Sequence, residues 1–288
     1  MKLAAAPISW GVCEVPGWGH QLAADRVLAD AARLGFREIE LGPPGFLPDE
    51  PVAARELIAR HGLRIVAAFV TAVLHEAQTV EAELRAVERQ AKHLASLGGS
   101  VLVLGAALRS DGYEAAAVLS NEQWRTLLTN LARISAIAQR QGLVAALHPH
   151  VGTAIEGDAA ISRVLRESEV SLCLDTGHAF VGGSDPVAIV AGAGERVAHV
   201  HLKDADADLA AAVRERRMPY AKAVALGLFR PLGEGDAGIK DVLSALRHAR
   251  YDGWLVLEQD IALAGPPSEA NDPARDIARS RDFARAHA

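Results

Sequence analysis

"SLCLDTGHAF" (residues 171–180) begins as a buried strand and ends as the entry to a helix. Leu172, Cys173 and Leu174 form a short apolar run, Asp175 closes it, Thr176-Gly177 make a turn pair and His178 follows. A carboxylate at the end of an apolar run is costly to bury unless a proton, a cation or hydrogen bonds satisfy it. Whether this strand-to-helix unit recurs decides the fold, and what meets Asp175 decides the chemistry.

Outward from this stretch the same unit recurs. Candidate strands are Leu3–Ser9, Glu38–Leu41, Arg64–Val70, Ser100–Leu104, Val144–His148, Ser171–Asp175, Val197–Leu202 and Trp254–Glu258. Between them run helical patterns such as Leu22–Leu34, Pro51–His61, Val80–Leu97 and Asn121–Gln141, several closed by glycine in "LGF", "HGL", "LGGS" and "QGL". Alternation of this kind builds a parallel sheet covered by helices, and eight units in 288 residues predict a closed (β/α)8 TIM barrel in a single domain, 1–288. The first junctions carry no GxGxxG, which argues against a dinucleotide-binding sheet. The connection 203–238, between the seventh strand and a helix beginning near Ile239, is long. It would lie over the C-terminal mouth as a lid, or form a surface insertion or dimer contact.

Half the residues are hydrophobic and 23% are charged, enough for a substantial core, and the net charge is −6. No basic stripe is present, so nucleic acid is not an expected partner. Cys13 and Cys173 are far apart and in no metal-binding spacing, which fits a reducing compartment. "MKLAAAPISWGVCE" reads as a first strand rather than a signal peptide, and no apolar run approaches the roughly 20 residues that span a bilayer. The expectation is a soluble cytoplasmic protein with no membrane partner.

In a barrel of this kind chemistry collects at the C-terminal strand ends. Six of the eleven histidines (His75, His148, His150, His178, His199, His201) fall at or just past such an end, beside Glu40, Asp175, Lys203, Asp204, Glu258 and Asp260. Strands five to eight are neighbours, so their ends face a common point. A divalent cation held by His148, Asp175, His201 and Glu258 would neutralise both carboxylates and use neutral imidazoles as ligands. The mixed nitrogen and oxygen set suits Mn²⁺ or Co²⁺, with Zn²⁺ or Fe²⁺ also admitted, better than Ca²⁺ or Mg²⁺. The alternative is a salt-bridge network without metal. Alternation in "HVHLKD" puts His199, His201 and Lys203 on one face, with His199 deeper as a structural partner and Lys203 projecting toward substrate. Trp10, Trp18 and Phe229 could form an apolar wall there, with Leu226–Asp236 closing over it.

Together the eight units, "LDTGH", "HVHLKD" and "GWLVLEQD" resemble the xylose-isomerase-like sugar isomerase/epimerase superfamily. "HPHVGTAIE", "AVALGLFRPLGEGD" and "ISWGVCEVPGWG" most resemble its inosose dehydratase group, which acts on keto-inositols. The resemblance implies a divalent metal at the strand ends. It supports Asp175, His201 and Glu258 as ligands, with His178 and Lys203 near substrate. One departure matters. The epimerases usually carry glutamate where this chain has His148, and His150 or Glu156 would take that place if the strand end were shifted. Epimerisation needs a base on each face of the reacting carbon, whereas elimination of water needs one base and one acid. The histidine therefore tilts the expectation toward a metal-dependent dehydratase of a small polyhydroxy ketone, acting through a metal-stabilised enediolate. A ketose isomerase or epimerase is the alternative.

Expected bases are Glu258, Glu40 or a histidine, and expected acids are His178 or Lys203. Trp10, His150, Glu156 and Asp204 are the expected substrate contacts. A related endonuclease of abasic DNA would need a larger ligand set and a basic face, and a barrel kept only for binding would not need intact ligands at four strand ends. A sugar or cyclitol is the expected partner. A homo-oligomer is left open.

Overall fold

The computed structural model describes residues 2–109, 112–114, 118–269 and 271–288. Eight strand positions follow one another around a barrel: β1 (Lys2–Ala5), β2 (Glu38–Ile39), β3 (Arg64–Ile65 and Ala67–Ala72), β4 (Val101–Ala106), β5 (Val144–Leu147), β6 (Ser171–Asp175), β7 (Val197–Leu202) and β8 (Trp254–Leu257). All pair in parallel. The two pieces of β3 make nine segments, and the sheet closes because one piece pairs with β2 and the other with β4. At the break, Val66 accepts from both Ser100 and Val101 N–H (2.9 and 3.2 Å), so the strand is bent rather than ended.

The barrel interior is filled by small side chains, among them Ala4, Ala67, Val103, Ala146, Cys173 and Val256. A second, larger apolar cluster lies between sheet and helices. The helix Asn121–Arg140 shows how the sequence builds that layer. Ser120 and Gln123 form a capping box, and Trp124, Leu127, Leu131, Ile134 and Ile137 recur at helical spacing on the buried face.

The expected strand Leu3–Ser9 ends early, at Ala5. Pro7 has no N–H to continue a ladder, so Pro7–Trp10 turn instead as a 3-10 helix closed by Gly11 at φ 80°. The connection after β7 is built rather than loose. It holds helices Ala207–Arg214 and Tyr220–Ala225, and Asp204–Ala205 pairs antiparallel with Phe229–Arg230. Among the described residues no helix is long and apolar enough to cross a membrane.

Candidate active site

Period-two alternation carries the polar layer. Ala146, Cys173, His199 and Val256 lie inside the barrel wall, so the residues two further along (His148, Asp175, His201 and Glu258) point the same way at the mouth. Asp175 stands directly beside His201 in the β6–β7 register. The ladder runs one residue past three strands: Glu40 N–H donates to Ala5 (2.9 Å), His148 N–H to Leu104 (2.8 Å) and Glu258 N–H to Leu202 (3.1 Å). Three of the mouth side chains are thus fixed by backbone bonds.

Asp175, 2% exposed, uses its two oxygens differently. Oδ1 caps the short helix Thr176–Val181 by accepting from His178 N–H (2.7 Å). Oδ2 has no hydrogen bond and lies 3.3 Å from Lys203 Nζ, 3.5 Å from His148 Nε2 and 3.6 Å from His201 Nδ1. His148, Asp175, His201 and Glu258 offer one donor atom each, all within 4.8 Å of one another.

Their outer partners suit ligation. His148 Nδ1 faces its neighbour Pro149 O (3.0 Å), which fixes the tautomer and leaves the Nε2 lone pair toward Asp175. His201 Nε2 donates to Glu40 Oε1 (3.0 Å), while its Nδ1, 3.0 Å from Glu258 Oε2, makes no hydrogen bond. Burial opposes charge on His201, but Cys173, Glu258, Glu40 and Asp175 around it hold its pKa well above the usual histidine value. In the free protein its Nδ1 proton therefore stands where a cation would be held. Cys173, whose thiol burial pushes up to about 11, offers its sulfur within 4.8 Å of donor atoms of His148 and His201. A buried carboxylate oxygen and an imidazole nitrogen that make no hydrogen bond, on one centre, fit a divalent cation.

Beside this set lies a second polar group. Lys203, fully buried, brings Nζ to Glu258 Oε1 (2.7 Å), Asp260 Oδ1 (2.7 Å) and His178 Nε2 (3.0 Å). Tyr220 donates to Asp260 Oδ2 (2.6 Å). Burial alone would raise the carboxyls of Asp175, Glu258 and Asp260. Lys203 (for Asp175 and Asp260) and His201 (for Glu258) outweigh it and hold all three below the ordinary range. Burial, with the Lys203 ammonium close by, pushes His150 and His178 the other way, toward the neutral imidazole.

A cavity of about 220 Å³ opens over this layer, bounded by Glu40, His148, His150, His201, Glu258 and Asp260 below. Glu14, Trp18, Phe69, Tyr113 and Tyr220 form its walls. None of its lining residues among those described is lysine or arginine.

Several expected positions differ from this geometry. Trp10 is buried in the core between sheet and helices, because the 3-10 turn after Pro7 carries its ring away from the mouth; it is no substrate contact. Asp204 is an anchor: its carboxylate accepts from Gly233, Gly235 and Ala237 N–H (2.8, 3.1 and 3.0 Å) and ties down the connection after β7. Glu156 accepts from Gly152 N–H (3.1 Å) and pairs with Arg216, outside the cavity. Lys203 and His178 sit behind the cavity wall, not in it, and Glu40 is occupied by His199 (2.8 Å) and His201. His75 faces Glu76 away from the mouth. Trp18 does line the cavity, its indole N–H held by Ile261 O (2.8 Å).

Phe229 lies under Lys203, 4.8 Å from Nζ, and Tyr220 rather than 226–236 reaches the cavity. The sequence reading assigned no role to Tyr220, Tyr113 or Glu14. Asp260 carried a readable signal, two residues past Glu258 on the same strand parity.

The chain matches the family described as "Xylose isomerase-like TIM barrel" over residues 28–287. It is 30% identical over 278 residues to an inosose dehydratase of Geobacillus kaustophilus (strain HTA426), covering 92% of this chain and 90% of that one. Among solved structures it resembles the D-allulose 3-epimerase from Methylomonas sp. in complex with D-allulose (TM-score 0.69, 17% identity, 100% and 97% of the two chains). It also resembles the IOLI protein with a binding zinc atom (TM-score 0.71, 16% identity, 99% and 97%). At these identities the two structures speak for the fold alone.

Proposed function

This chain belongs to the xylose isomerase-like TIM barrel family, and we propose that within it the chain is a divalent-metal-dependent dehydratase of a small, uncharged polyhydroxy ketone of the inosose type. The observation that carries the reading is the convergence of His148, Asp175, His201 and Glu258 beneath a small cavity whose described lining residues include no lysine or arginine for a phosphate or carboxylate. Similarity to an inosose dehydratase over 92% of the chain supports the same choice. A divalent ion, when bound by these four residues, would supply Lewis-acid polarisation of the substrate carbonyl.

The chain's own groups account for the proton movements. Glu258, on the cavity floor and kept ionised by His201 and Lys203, is the base for the proton on the carbon next to the carbonyl. Loss of that proton and of a β-hydroxyl leaves an enone and water, so the departing hydroxyl needs one proton in return. Tyr220, protonated because burial and Asp260 raise its pKa well above the usual value, and His150, whose Nδ1 is turned to Val151 O (2.7 Å), face that part of the cavity. Both are placed to orient the leaving oxygen, and Glu258, carrying the proton it has taken, returns it to that oxygen so that water departs. Glu40 is a positioning residue, holding His201 by its outer nitrogen.

The second reading, an epimerase or isomerase, would use the same four residues at the strand ends. It lacks a second carboxylate at β5, where His148 stands. NMR in D₂O separates them. Protein stripped of metal, reloaded with Mn²⁺ or Co²⁺ and given 2-keto-myo-inositol should release water from it, and Glu258→Gln should abolish this. Deuterium entering an isomerised ketohexose without dehydration would move the assignment to the epimerase.

A further inference from the structure

Besides the four-residue set, a second group converges in the same layer. His150, His178 and Asp260 offer one donor atom each within 4.8 Å of one another. All three are buried, with exposures of 7%, 1% and 5%. The His150 and His178 rings lie 3.7 Å apart, and His178 Nε2 is 3.6 Å from Asp260 Oδ2. Two of the three have the outer partners a ligand needs. His150 Nδ1 is fixed by Val151 O, which leaves Nε2 as a lone pair, and Asp260 Oδ2 is fixed by the Tyr220 hydroxyl, which leaves Oδ1. Asp260 Oδ1 and the Nε2 lone pair of His178 both face Lys203 Nζ. Two neutral imidazoles and a carboxylate are a donor set for Zn²⁺, Co²⁺ or Mn²⁺.

What stands there is an ammonium. Lys203 Nζ lies 2.7 Å from Asp260 Oδ1 and 3.0 Å from His178 Nε2, and it reaches across to Glu258 and Asp175 of the first set. The fold makes room for this. A Cβ on Gly177 would meet Lys203 Cγ at 2.6 Å and Cδ at 2.8 Å, so the lysine stem fills the space that a side chain at 177 would take. A cation at hydrogen-bond distance from two of the three donors excludes a second one by repulsion and by volume.

We propose that His150, His178 and Asp260 form a latent second metal site, and that Lys203 occupies it with a built-in monovalent charge that keeps this centre mononuclear. The inference rests on the metal-dependent reading only for the ion at the first site. Lys203 is in this account a positioning residue, holding Glu258 and Asp260 at a fixed spacing.

The test is metal content after loading with Co²⁺ or Zn²⁺ and desalting, together with calorimetric titration and the visible spectrum of the Co²⁺ protein. The native chain should bind one equivalent even at saturating metal. Lys203→Gln should bind two, a twofold rise, with a second Co²⁺ absorption band set. Lys203→Gln/Asp260→Asn, which removes one charge of each sign, should return to one. One equivalent in both the native chain and a folded Lys203→Gln would overturn the proposal and leave the metal-dependent reading intact. Two equivalents in the native chain would also overturn it, and that measurement needs no variant to fold. No metal in the native chain but one in Lys203→Gln, lost again in Lys203→Gln/Asp260→Asn, would support the latent site and sink the first. None in either would remove both.

Discussion

Glu40→Gln tests how the centre is tuned from outside its ligand set. Glu40 Oε1 accepts from His199 and His201 at 2.8 and 3.0 Å, all three residues being buried. Two unit charges 3.0 Å apart interact by about 5–6 kcal/mol at an effective dielectric of 20, which is a ceiling for what the carboxylate gives a cationic His201. The carboxamide oxygen still accepts the Nε2 proton, so most of that ceiling is not lost. Outer-partner changes of this kind weaken metal binding ~10–100-fold, about 1.4–2.8 kcal/mol.

A second quantity separates tuning from simple damage. In the native chain His201 stays protonated up to a pKa well above 6.5, so below that value an entering metal must displace one proton and its apparent Kd falls about tenfold per pH unit. Removing the Glu40 charge lowers the His201 pKa and moves the end of that slope to lower pH. Calorimetric titration with Mn²⁺ at pH 7 in two buffers of different ionisation enthalpy reads both numbers. The expected result is a weaker Kd with fewer protons released than in the native chain. Unchanged affinity and unchanged proton release would refute the assignment of Glu40 as the partner that tunes His201.

Three further outcomes follow from the same geometry. Gly177→Ala sits in a short helix where alanine would ordinarily stabilise by about 1 kcal/mol, yet its Cβ would meet the Lys203 stem at 2.6 Å; overpacking of about 1–3 kcal/mol should lower the melting temperature instead, and a rise would contradict the packing. Tyr220→Phe leaves Asp260 Oδ2 without its 2.6 Å donor, a loss of about 1–3 kcal/mol that should lower kcat/KM about 5–150-fold while metal content measured by mass spectrometry stays constant. Stability of the metal-free chain should peak near pH 6.5. His75, His150, His178 and His199 have depressed pKa values through burial, so stability grows as pH rises toward the unfolded value; His201 has a raised one, so its contribution is full below 6.5 and is lost as pH climbs through the folded value. Melting curves of chelator-treated protein from pH 5 to 8 check this, and a monotonic rise to pH 8 would refute it.

The barrel was legible because apolar runs of strand length and helical periodicity are local signals, and eight of them admit few closed arrangements. The mouth of strands five to eight was legible for a related reason. Period-two alternation lets His148, Asp175, His201 and Glu258 be placed on the inner face from their own strands alone. Local signals failed where the backbone left regular geometry. Pro7 ended β1 and turned Trp10 into the core, and Asp204, at the start of the small ribbon, spent its carboxylate on three N–H groups some 30 residues away. Tyr220 was invisible because its role depends on how a long connection folds back to place it on Asp260. Lys203 was assigned to the right face but the wrong partner. Its stem turns inward only because position 177 has no side chain, a fact carried by a residue 26 positions earlier.

That inward turn explains how so many carboxylates share one small volume. Glu40, Asp175, Glu258 and Asp260 are all ionised there, and burial opposes the charge on each. Two cations oppose them in the free chain, the Lys203 ammonium and the His201 imidazolium, and the two differ in kind. Lys203 is held by three carboxylates and its pKa is raised further, so its charge is permanent at any pH the protein meets. His201 carries a proton on the nitrogen that faces Asp175 and Glu258, and that proton can be exchanged. A divalent ion entering there adds two charges and releases one. The centre would thus become less negative without any carboxylate taking up a proton. In this arrangement His201 is the exchangeable position and Lys203 the fixed one.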